Sequence, residues 1–292
     1  MSAKIITITG DLGSGKSAVS HLVASKYAMR RYSSGEGQRR IARDLGISTI
    51  ELNLLAERDP TIDQKIDAVF AAMADSDEPL VIDSRMAWHF LPRSFKVKLR
   101  VFKTVAAQRV LQDLQREGER YGSIEEAAAE LQRRRLSEVS RFQAKYNVDI
   151  SAYDPFDLVI DTTLAGPEEV AEKIMESARA FWSGQAVAKL WASPRLLLPT
   201  KTIRDADTLD VADSPIEVIE ENGFDFIWRG HMHACRTIVE GTSFVPLRIL
   251  NEGELPAGVS KRQYLRDHFS LALAHEWEKE LQFQFHAYPG MG

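Results

Sequence analysis

The sequence predicts a doubly wound α/β domain with a parallel sheet over residues 1–184, followed by a smaller α+β domain over residues 190–292. In the first part, short β-branched apolar runs alternate with stretches of helical periodicity, as expected for a parallel sheet covered by helices on both faces. A glycine-rich turn joins the first apolar run to the first helix. From about residue 193 onwards, prolines punctuate short mixed segments, which places a domain boundary near residues 184–192.

The first strand is predicted at residues 4–9, and the helix after it runs from about Lys16 to Lys26. The later apolar runs predict further strands at Leu80–Ile82, Val97–Phe102 and Leu158–Ile160. Helical periodicity lies between these strands, for example at Ile62–Ala74 and Ala106–Gln115.

Two more helices complete the first domain. Ser123 followed by Glu126 is a capping-box pattern and opens a long polar helix that reaches Tyr146. Pro167 begins an amphipathic helix that ends near Gly184.

Composition excludes several classes of protein. The formal net charge of −5 gives no overall attraction to nucleic acid, so nucleic-acid binding is not expected. No apolar run approaches the roughly 20 residues that span a bilayer, and the N-terminus lacks the pattern of a signal peptide. Cys235 is the single cysteine, which excludes an internal disulfide and predicts a reducing cytoplasm.

The glycine-rich turn carries a strong functional signal. Gly10-Asp11-Leu12-Gly13-Ser14-Gly15-Lys16-Ser17 fits the phosphate-binding pattern G-x-x-x-x-G-K-[ST], between a strand and a helix as the pattern requires. We therefore expect Gly10, Gly13, Ser14, Gly15, Lys16 and Ser17 to bind ATP through backbone N–H groups and the Lys16 ammonium. Lys16 is also expected to stabilise charge during phosphoryl transfer.

A metal site is predicted from two of these elements. The Ser17 hydroxyl is placed to ligate Mg²⁺, and Asp83 follows a buried strand as the second metal-binding and catalytic residue. The alternative interpretation of Asp83 is a turn or helix N-cap aspartate.

Further motifs follow the glycine-rich turn in a fixed order: Ser33-Ser34-Gly35-Glu36-Gly37-Gln38-Arg39, Asp59-Pro60-x-Ile62-Asp63, Asp83-Ser84-Arg85, Arg116-Glu117-Gly118, Arg134, Ser137-Glu138-x-x-Arg141 and Tyr146-x-x-Asp149-Ile150. Their order and spacing resemble the cytidylate kinase family, in particular its archaeal-type branch, over roughly residues 4–180. The resemblance implies a P-loop nucleoside monophosphate kinase with a helical lid that uses ATP and Mg²⁺.

The resemblance also implies roles for single residues. Arg39 and Arg85 hold the phosphate of the acceptor nucleotide, next to Ser34 and Gly35, and Asp63 contacts the base. Arg134 and Arg141 are catalytic and close over the transferring phosphoryl group. The planar guanidinium group of an arginine can donate two parallel hydrogen bonds to phosphate oxygens, which suits that role. The alternative interpretation is that the charged residues of this helix only form a solvent-exposed face.

Residues 193–250 resemble the ParB/sulfiredoxin-like fold, which includes free-serine kinases. The resemblance is carried by Leu198-Pro199-Thr200, Ser214-Pro215-Ile216-x-Val218, Gly230-His231-Met232-His233, Gly241 and Val245-Pro246-Leu247. A Gly-His turn that opens a helix predicts a phosphate site at Gly230, His231 and His233. Cys235 is expected to pack inside the protein. Three interpretations stay open for this domain: a second phosphotransferase, a nucleotide- or substrate-sensing module, or a structural cap.

The sequence thus predicts an ATP-dependent kinase acting on CMP, dCMP or a modified pyrimidine nucleotide, with this small-molecule nucleotide acceptor as its expected partner. One alternative is a kinase of a hydroxylated small metabolite such as free serine. The other is a nucleotide-dependent regulatory or DNA-binding protein, which the acidic balance disfavours.

Overall fold

The chain forms two compact units, Met1–Val187 and Ala188–Gly292. The computed structural model describes residues 4–47, 51–52, 55, 70, 73–74, 76–113, 121–206 and 214–289, with only the backbone at residues 38–41. The helix predicted over Ile62–Ala74, the Asp59–Asp63 segment and Arg116-Glu117-Gly118 lie mostly or wholly outside the described residues.

The first unit contains a sheet of five parallel strands in the order β2-β3-β1-β4-β5. The strands are β1 (Ile5–Gly10), β2 (Arg30–Ser33), β3 (Leu80–Asp83), β4 (Phe95–Arg100) and β5 (Leu158–Asp161). All six residues of β1 are buried, as expected for the central strand of a covered parallel sheet. Because β1 pairs with β3 on one side and β4 on the other, the strand order reverses at β1. The carboxyl end of such a switch point is where α/β proteins bind ligands.

Helices connect these strands, and the parallel α/β class predicted for this part of the chain is confirmed. The described helices are α1 (Lys16–Lys26), α2 (Ser34–Leu45), α3 (Ala87–Phe90), α4 (Lys103–Gln112), α5 (Ile124–Tyr146) and α6 (Pro167–Trp182).

One predicted strand end was wrong. Val101 and Phe102 extend the apolar run of β4, but the strand ends at Arg100, and α4 begins at Lys103 rather than near Ala106. The backbone N–H of Phe102 donates to Thr163 Oγ1 at 3.0 Å, and its carbonyl accepts from Ala106 N–H at 2.9 Å. Phe102 is therefore the N-cap of α4, a role that an apolar side chain does not reveal in the sequence.

The long helix α5 is closed at both ends by local contacts. Ser123 Oγ accepts from Glu126 N–H at 3.1 Å, which confirms the predicted cap. At the other end, Asn147 adopts the left-handed conformation, and its N–H donates to Gln143 O. Just beyond, the Lys98 ammonium of β4 donates to the carbonyl oxygens of three consecutive residues, Ile150, Ser151 and Ala152, at 2.8, 2.7 and 3.0 Å.

Helix α6 lies against α1 and buries its apolar stripe in the first unit. Ala171, Ile174 and Ala178 are fully buried. Lys26 of α1 pairs with Glu172 of α6 at 3.0 Å, and the Arg179 guanidinium lies 5.2 Å from the Tyr27 ring centroid.

The second unit contains a mixed sheet in the order β6-β10-β8-β9-β7. Its strands are β6 (Leu190–Ala192), β7 (Leu197–Leu198), β8 (Ile216–Glu221), β9 (Phe224–Arg229) and β10 (Val245–Ile249), and its described helices are α7 (His231–Val239), α8 (Lys261–His268) and α9 (Leu271–Leu281). A tight turn at Asn222-Gly223, with φ of 53° and 81°, joins β8 to β9. Among the described residues of the chain, no helix is both long enough and apolar enough to cross a membrane.

Candidate active site

The loop between β1 and α1 wraps closely around the carboxyl end of the sheet. Gly10 has φ of 150°, and a Cβ atom there would lie 2.2 Å from the Leu99 carbonyl oxygen. Gly13 has φ of 78°, and a Cβ atom there would lie 2.6 Å from the Ala106 carbonyl oxygen. Only glycine fits at either position. The N-cap of α1, Gly15, offers no side chain to the first turn, so this turn's backbone N–H groups are available to an anion.

Lys16 is folded back onto this loop. Its ammonium donates to the carbonyl oxygens of Gly10 and Asp11 at 2.8 and 2.9 Å. Burial of the ammonium, helped by the neighbouring Arg85 guanidinium, lowers the pKa of Lys16 to about 7. A phosphate at this position would stabilise the charged form and restore the pKa towards its ordinary value.

The two predicted metal-binding side chains meet. Ser17 Oγ donates to Asp83 Oδ2 at 2.8 Å, which joins the first turn of α1 to the end of β3. A hydroxyl and a carboxylate are ligands that suit Mg²⁺, which binds proteins through one or two oxygen ligands and keeps several waters. The residues present therefore fit the metal.

Arg31 of β2 supports this pair from the side. Its Nε donates to Ser20 Oγ and its Nη1 donates to Glu36 Oε1, both at 2.7 Å. Its Nη2 lies 3.6 Å from Asp83 Oδ2 and is buried without a hydrogen-bond partner among the described residues. The Arg31 guanidinium thus forms an ion pair with Asp83 and helps to hold its carboxylate beside Ser17.

Arg109 stabilises the glycine-rich loop from the side of α4. Arg109 of α4 donates to the Gly13 carbonyl at 3.3 Å and to the Thr162 carbonyl at 2.7 Å. Thr162 Oγ1 in turn donates to the Ser14 carbonyl at 3.1 Å. These bonds fix the backbone that would hold phosphate, because they point its carbonyl groups away from the ligand side.

Helix α5 makes two ion pairs with the site, one with the glycine-rich loop and one with Arg85. Arg135 pairs with Asp11, and Glu138 Oε2 accepts from Arg85 Nε at 2.9 Å. Arg85 Nη1 also donates to the Gly10 carbonyl at 2.6 Å. Arg85, predicted as an acceptor ligand, thus lies between the end of β3, the phosphate loop and α5.

The two predicted catalytic arginines lie on the same helix. Arg141 stacks its guanidinium 4.9 Å from the Phe142 ring centroid, and its Nε is buried without a hydrogen-bond partner among the described residues. Arg134 is half-buried. Seven positions apart, they share one face of α5, and that face also carries Glu138.

The predicted acceptor residues are described only in part. Ser34 begins α2, and its Oγ donates to the Asp83 carbonyl at 3.4 Å, which places Ser34 and Gly35 beside the metal pair. The backbone of Arg39 is helical, but its side chain lies outside the described residues, as does Asp63.

In the second unit, Gly230 has φ of 101° and opens α7 as predicted. Both histidines are buried. His231 Nε2 accepts from the Thr200 N–H at 3.3 Å, and His233 Nδ1 lies 3.1 Å from the Ser214 carbonyl oxygen. The His231 ring is thus turned inward to Thr200. Cys235 is buried, as predicted.

Comparison with known proteins identifies the family of the first unit. The sequence pattern of the cytidylate kinase-like family matches residues 5–164. A cytidylate kinase of Methanothrix thermoacetophila is 37% identical over 158 residues, which cover 54% of this chain and 88% of that protein. One from Methanosarcina mazei is 39% identical over 158 residues, covering 54% and 86%, and one from Ignicoccus hospitalis is 33% identical over 171 residues, covering 58% and 96%.

This chain belongs to the cytidylate kinase-like family. The match covers every described residue of the site around Lys16, including the metal pair and the arginines of α5. It ends before α6 and leaves the second unit uncovered.

Three residues of this cytidylate kinase-like site were not predicted from the sequence. Glu138 was part of a matching motif but received no role, and Arg31 and Arg109 were not singled out. Arg31 follows Arg30 in β2, and two consecutive arginines do not reveal that Arg30 is exposed while the Arg31 side chain is largely buried. The positions of Glu138 and Arg109 depend on contacts between distant segments, which no local pattern reports.

Proposed function

We propose that this chain transfers the γ-phosphoryl group of ATP to a pyrimidine nucleoside monophosphate, CMP, dCMP or a modified analogue. The observation that carries the proposal is the convergence of Lys16, the Ser17–Asp83 pair and Arg85 at the carboxyl end of β1 and β3. Such a site holds a triphosphate and a second phosphate side by side, because it brings cationic groups to both. The cytidylate kinases that match this chain support the choice of acceptor.

In the proposed reaction, a phosphate oxygen of the acceptor forms a bond to the γ-phosphorus as the bond to the β–γ bridging oxygen breaks, which releases ADP. The backbone N–H groups of the loop and Lys16 hold the β- and γ-phosphates. Arg85, with Arg39, orients the acceptor phosphate for in-line attack, and Arg134 and Arg141 neutralise charge on the transferring group. Ser17 and Asp83 would hold Mg²⁺, which supplies positive charge to the phosphate oxygens.

The experiment that tests the function is an acceptor screen. We expect ADP formation from ATP and Mg²⁺ to depend on CMP or dCMP, and to be far weaker with purine nucleotides. Free serine and related hydroxylated metabolites form the second arm. Turnover with a metabolite and none with any nucleoside monophosphate would overturn the proposal in favour of the metabolite kinase.

We expect some arginines of the site to contribute to acceptor binding and others to the rate of phosphoryl transfer. Replacing Arg85 with methionine should raise the KM for the acceptor, because its contact exists in the ground state. Replacing Arg141 should chiefly lower kcat, because a lid charge acts in the transition state. Loss of one charge-assisted bond corresponds to roughly 10- to 150-fold in either constant.

Steady-state kinetics with CMP as the varied substrate measure both constants. Arg93→Met, at an exposed arginine in the turn before β4, is the matched control and should behave as wild type. An unchanged acceptor KM in the Arg85 variant would remove Arg85 from the acceptor site.

For the second unit we propose a ParB/sulfiredoxin-like fold that senses a nucleotide or related phosphate compound. Support comes from the helix α7 opened by Gly230 and from the motifs around Thr200 and Val245. Because His231 is buried and hydrogen bonded to Thr200, backbone N–H groups rather than its ring would meet a phosphate. A reducing cytoplasm stays the proposed compartment, since ATP and nucleoside monophosphates are intracellular substrates.

A further inference from the structure

Helix α5 carries a carboxylate in the middle of the face that is proposed to close over phosphate. Arg134, Glu138 and Arg141 are spaced four and three residues apart, so they lie on one side of the helix. A face that binds a polyanion is expected to be free of acidic groups, because a nearby carboxylate repels phosphate. Glu138 therefore needs an explanation.

The contacts of Glu138 supply one. Its Oε2 accepts from Arg85 Nε at 2.9 Å, and both side chains are largely buried, with exposed fractions of 22% and 20%. Arg85 is the residue proposed to hold the acceptor phosphate, and carboxylate and phosphate oxygens bind a guanidinium in the same way. The carboxylate thus occupies the binding position of a phosphate oxygen.

Glu138 also lies within electrostatic reach of the donor side of the site. Its negative charge acts on Lys16 and partly opposes the lowering of the Lys16 pKa by burial. Arg85 is bonded to the carbonyl of Gly10, to which Lys16 also donates. The carboxylate therefore binds the group proposed for the acceptor phosphate and acts electrostatically on the group proposed for the donor phosphates.

We propose that Glu138 is an internal substitute for the acceptor's phosphate, which holds Arg85 until the phosphate of an incoming nucleotide displaces it. This inference rests on the proposed function. Before displacement, the Glu138–Arg85 and Arg135–Asp11 pairs keep α5 in place against the loop. After displacement, the acceptor phosphate binds Arg85, α5 is no longer held at Arg85, and its arginines turn to the transferring group.

Two consequences distinguish this role from a structural ion pair. The acceptor must break the Glu138–Arg85 bond in order to bind, so Glu138 weakens acceptor binding. When ATP is bound without acceptor, the Glu138–Arg85 pair still keeps α5 in the position described here, so Glu138 suppresses ATP hydrolysis.

The test is Glu138→Gln, which keeps the size of the side chain and removes its charge. We expect the KM for CMP to fall by about tenfold, the equivalent of one charge-assisted bond. Hydrolysis of ATP without acceptor should rise severalfold, and kcat for transfer should change by less than about threefold. Glu130→Gln, which removes a carboxylate paired with Arg133 on the same helix, should change none of these.

Other outcomes overturn the proposal. Unchanged KM and unchanged hydrolysis would make the pair merely structural, and a large loss of kcat at constant KM would make Glu138 catalytic. If Glu138→Gln does not fold, Glu138→Asp shortens the side chain by one methylene and should shift the same two readouts in the same directions, more weakly.

Binding of inorganic phosphate separates this inference from the proposed function, because it requires no turnover. Calorimetry should show phosphate binding about tenfold tighter to Glu138→Gln than to wild type, and the gain should vanish in an Arg85→Met background. A wild type that phosphorylates no nucleotide would end the proposed function alone. Equal phosphate affinity in wild type and Glu138→Gln would end the inference alone.

Discussion

Replacing Lys16 with methionine is expected to abolish phosphoryl transfer. It should also relieve a pH-dependent destabilisation of the folded protein, against which stands the loss of the Lys16 bonds to the Gly10 and Asp11 carbonyls. The ammonium is the main side-chain cation of the phosphate loop, and removal of one preorganised group of this kind lowers kcat by roughly 10²- to 10³-fold or more. Methionine retains the apolar length of the side chain. It removes a charge that burial disfavours, as the lowered pKa of about 7 shows.

The change in stability should depend on pH in a defined way. Below pH 7, Lys16 is protonated in both the folded and unfolded states, and the folded state bears the full unfavourable burial of the charge. Between pH 7 and about 10.5, the folded state releases the proton while the unfolded state keeps it, so wild-type stability rises with pH. The stability of Lys16→Met relative to wild type should therefore be highest at pH 7 and below, and should fall towards pH 10.

Thermal unfolding across that pH range, alongside an ATP–CMP transfer assay, measures both effects. Lys26→Met is the matched control, because Lys26 lies on the same helix in an exposed pair with Glu172. That control should keep its activity and show little change in Tm. A Lys16 variant that keeps substantial transfer activity would exclude the loop as the ATP site.

Replacing Lys98 with methionine is expected to be the most destabilising single substitution at a lysine of the first unit. Lys98 is 3% exposed, and its ammonium satisfies three carbonyl oxygens in the turn that follows α5. Methionine would leave these acceptors without the donor in a largely buried position. The expected loss in the free energy of unfolding is about 3–5 kcal/mol.

Urea unfolding measures this loss, and hydrogen exchange locates it. The amides of residues 146–153 should exchange faster in the variant than in wild type, because the clamp on this turn is lost. Lys96→Met, two residues earlier on the same face of β4, is the control, with an expected change within about 0.5 kcal/mol. Equal losses in the two variants would show that the three carbonyl contacts contribute little.

The site residues that could be predicted from the sequence lie close together in the chain or at the end of a strand. Lys16 and Ser17 lie in one short loop, and Asp83 ends an apolar run. Ser17 and Asp83 are 66 residues apart, yet their contact follows from two parallel strands that lie side by side and end at the same edge. The roles assigned to these residues stay predictions until the variants are measured.

The site residues that could not be predicted are positioned by the packing of segments that are distant in the sequence. A glutamate within a helix rich in arginine and glutamate has the same local pattern whether it faces water or, like Glu138, a buried guanidinium. The histidines of α7 illustrate the same limit, because the pattern around Gly230 predicts the helix but not that His231 points inward to Thr200. Only the fold decides the direction of such side chains.

The position of α6 determines how far the first unit can be truncated at its C-terminal end. The family pattern ends at residue 164, but α6 starts at Pro167 and covers α1, the helix that begins with Lys16. A gene fragment cut at the family boundary would encode every matched motif and still expose the apolar side of its own nucleotide-binding helix. The family pattern is thus shorter than the compact unit, and a shortened protein that keeps α1 covered has to extend to about residue 187.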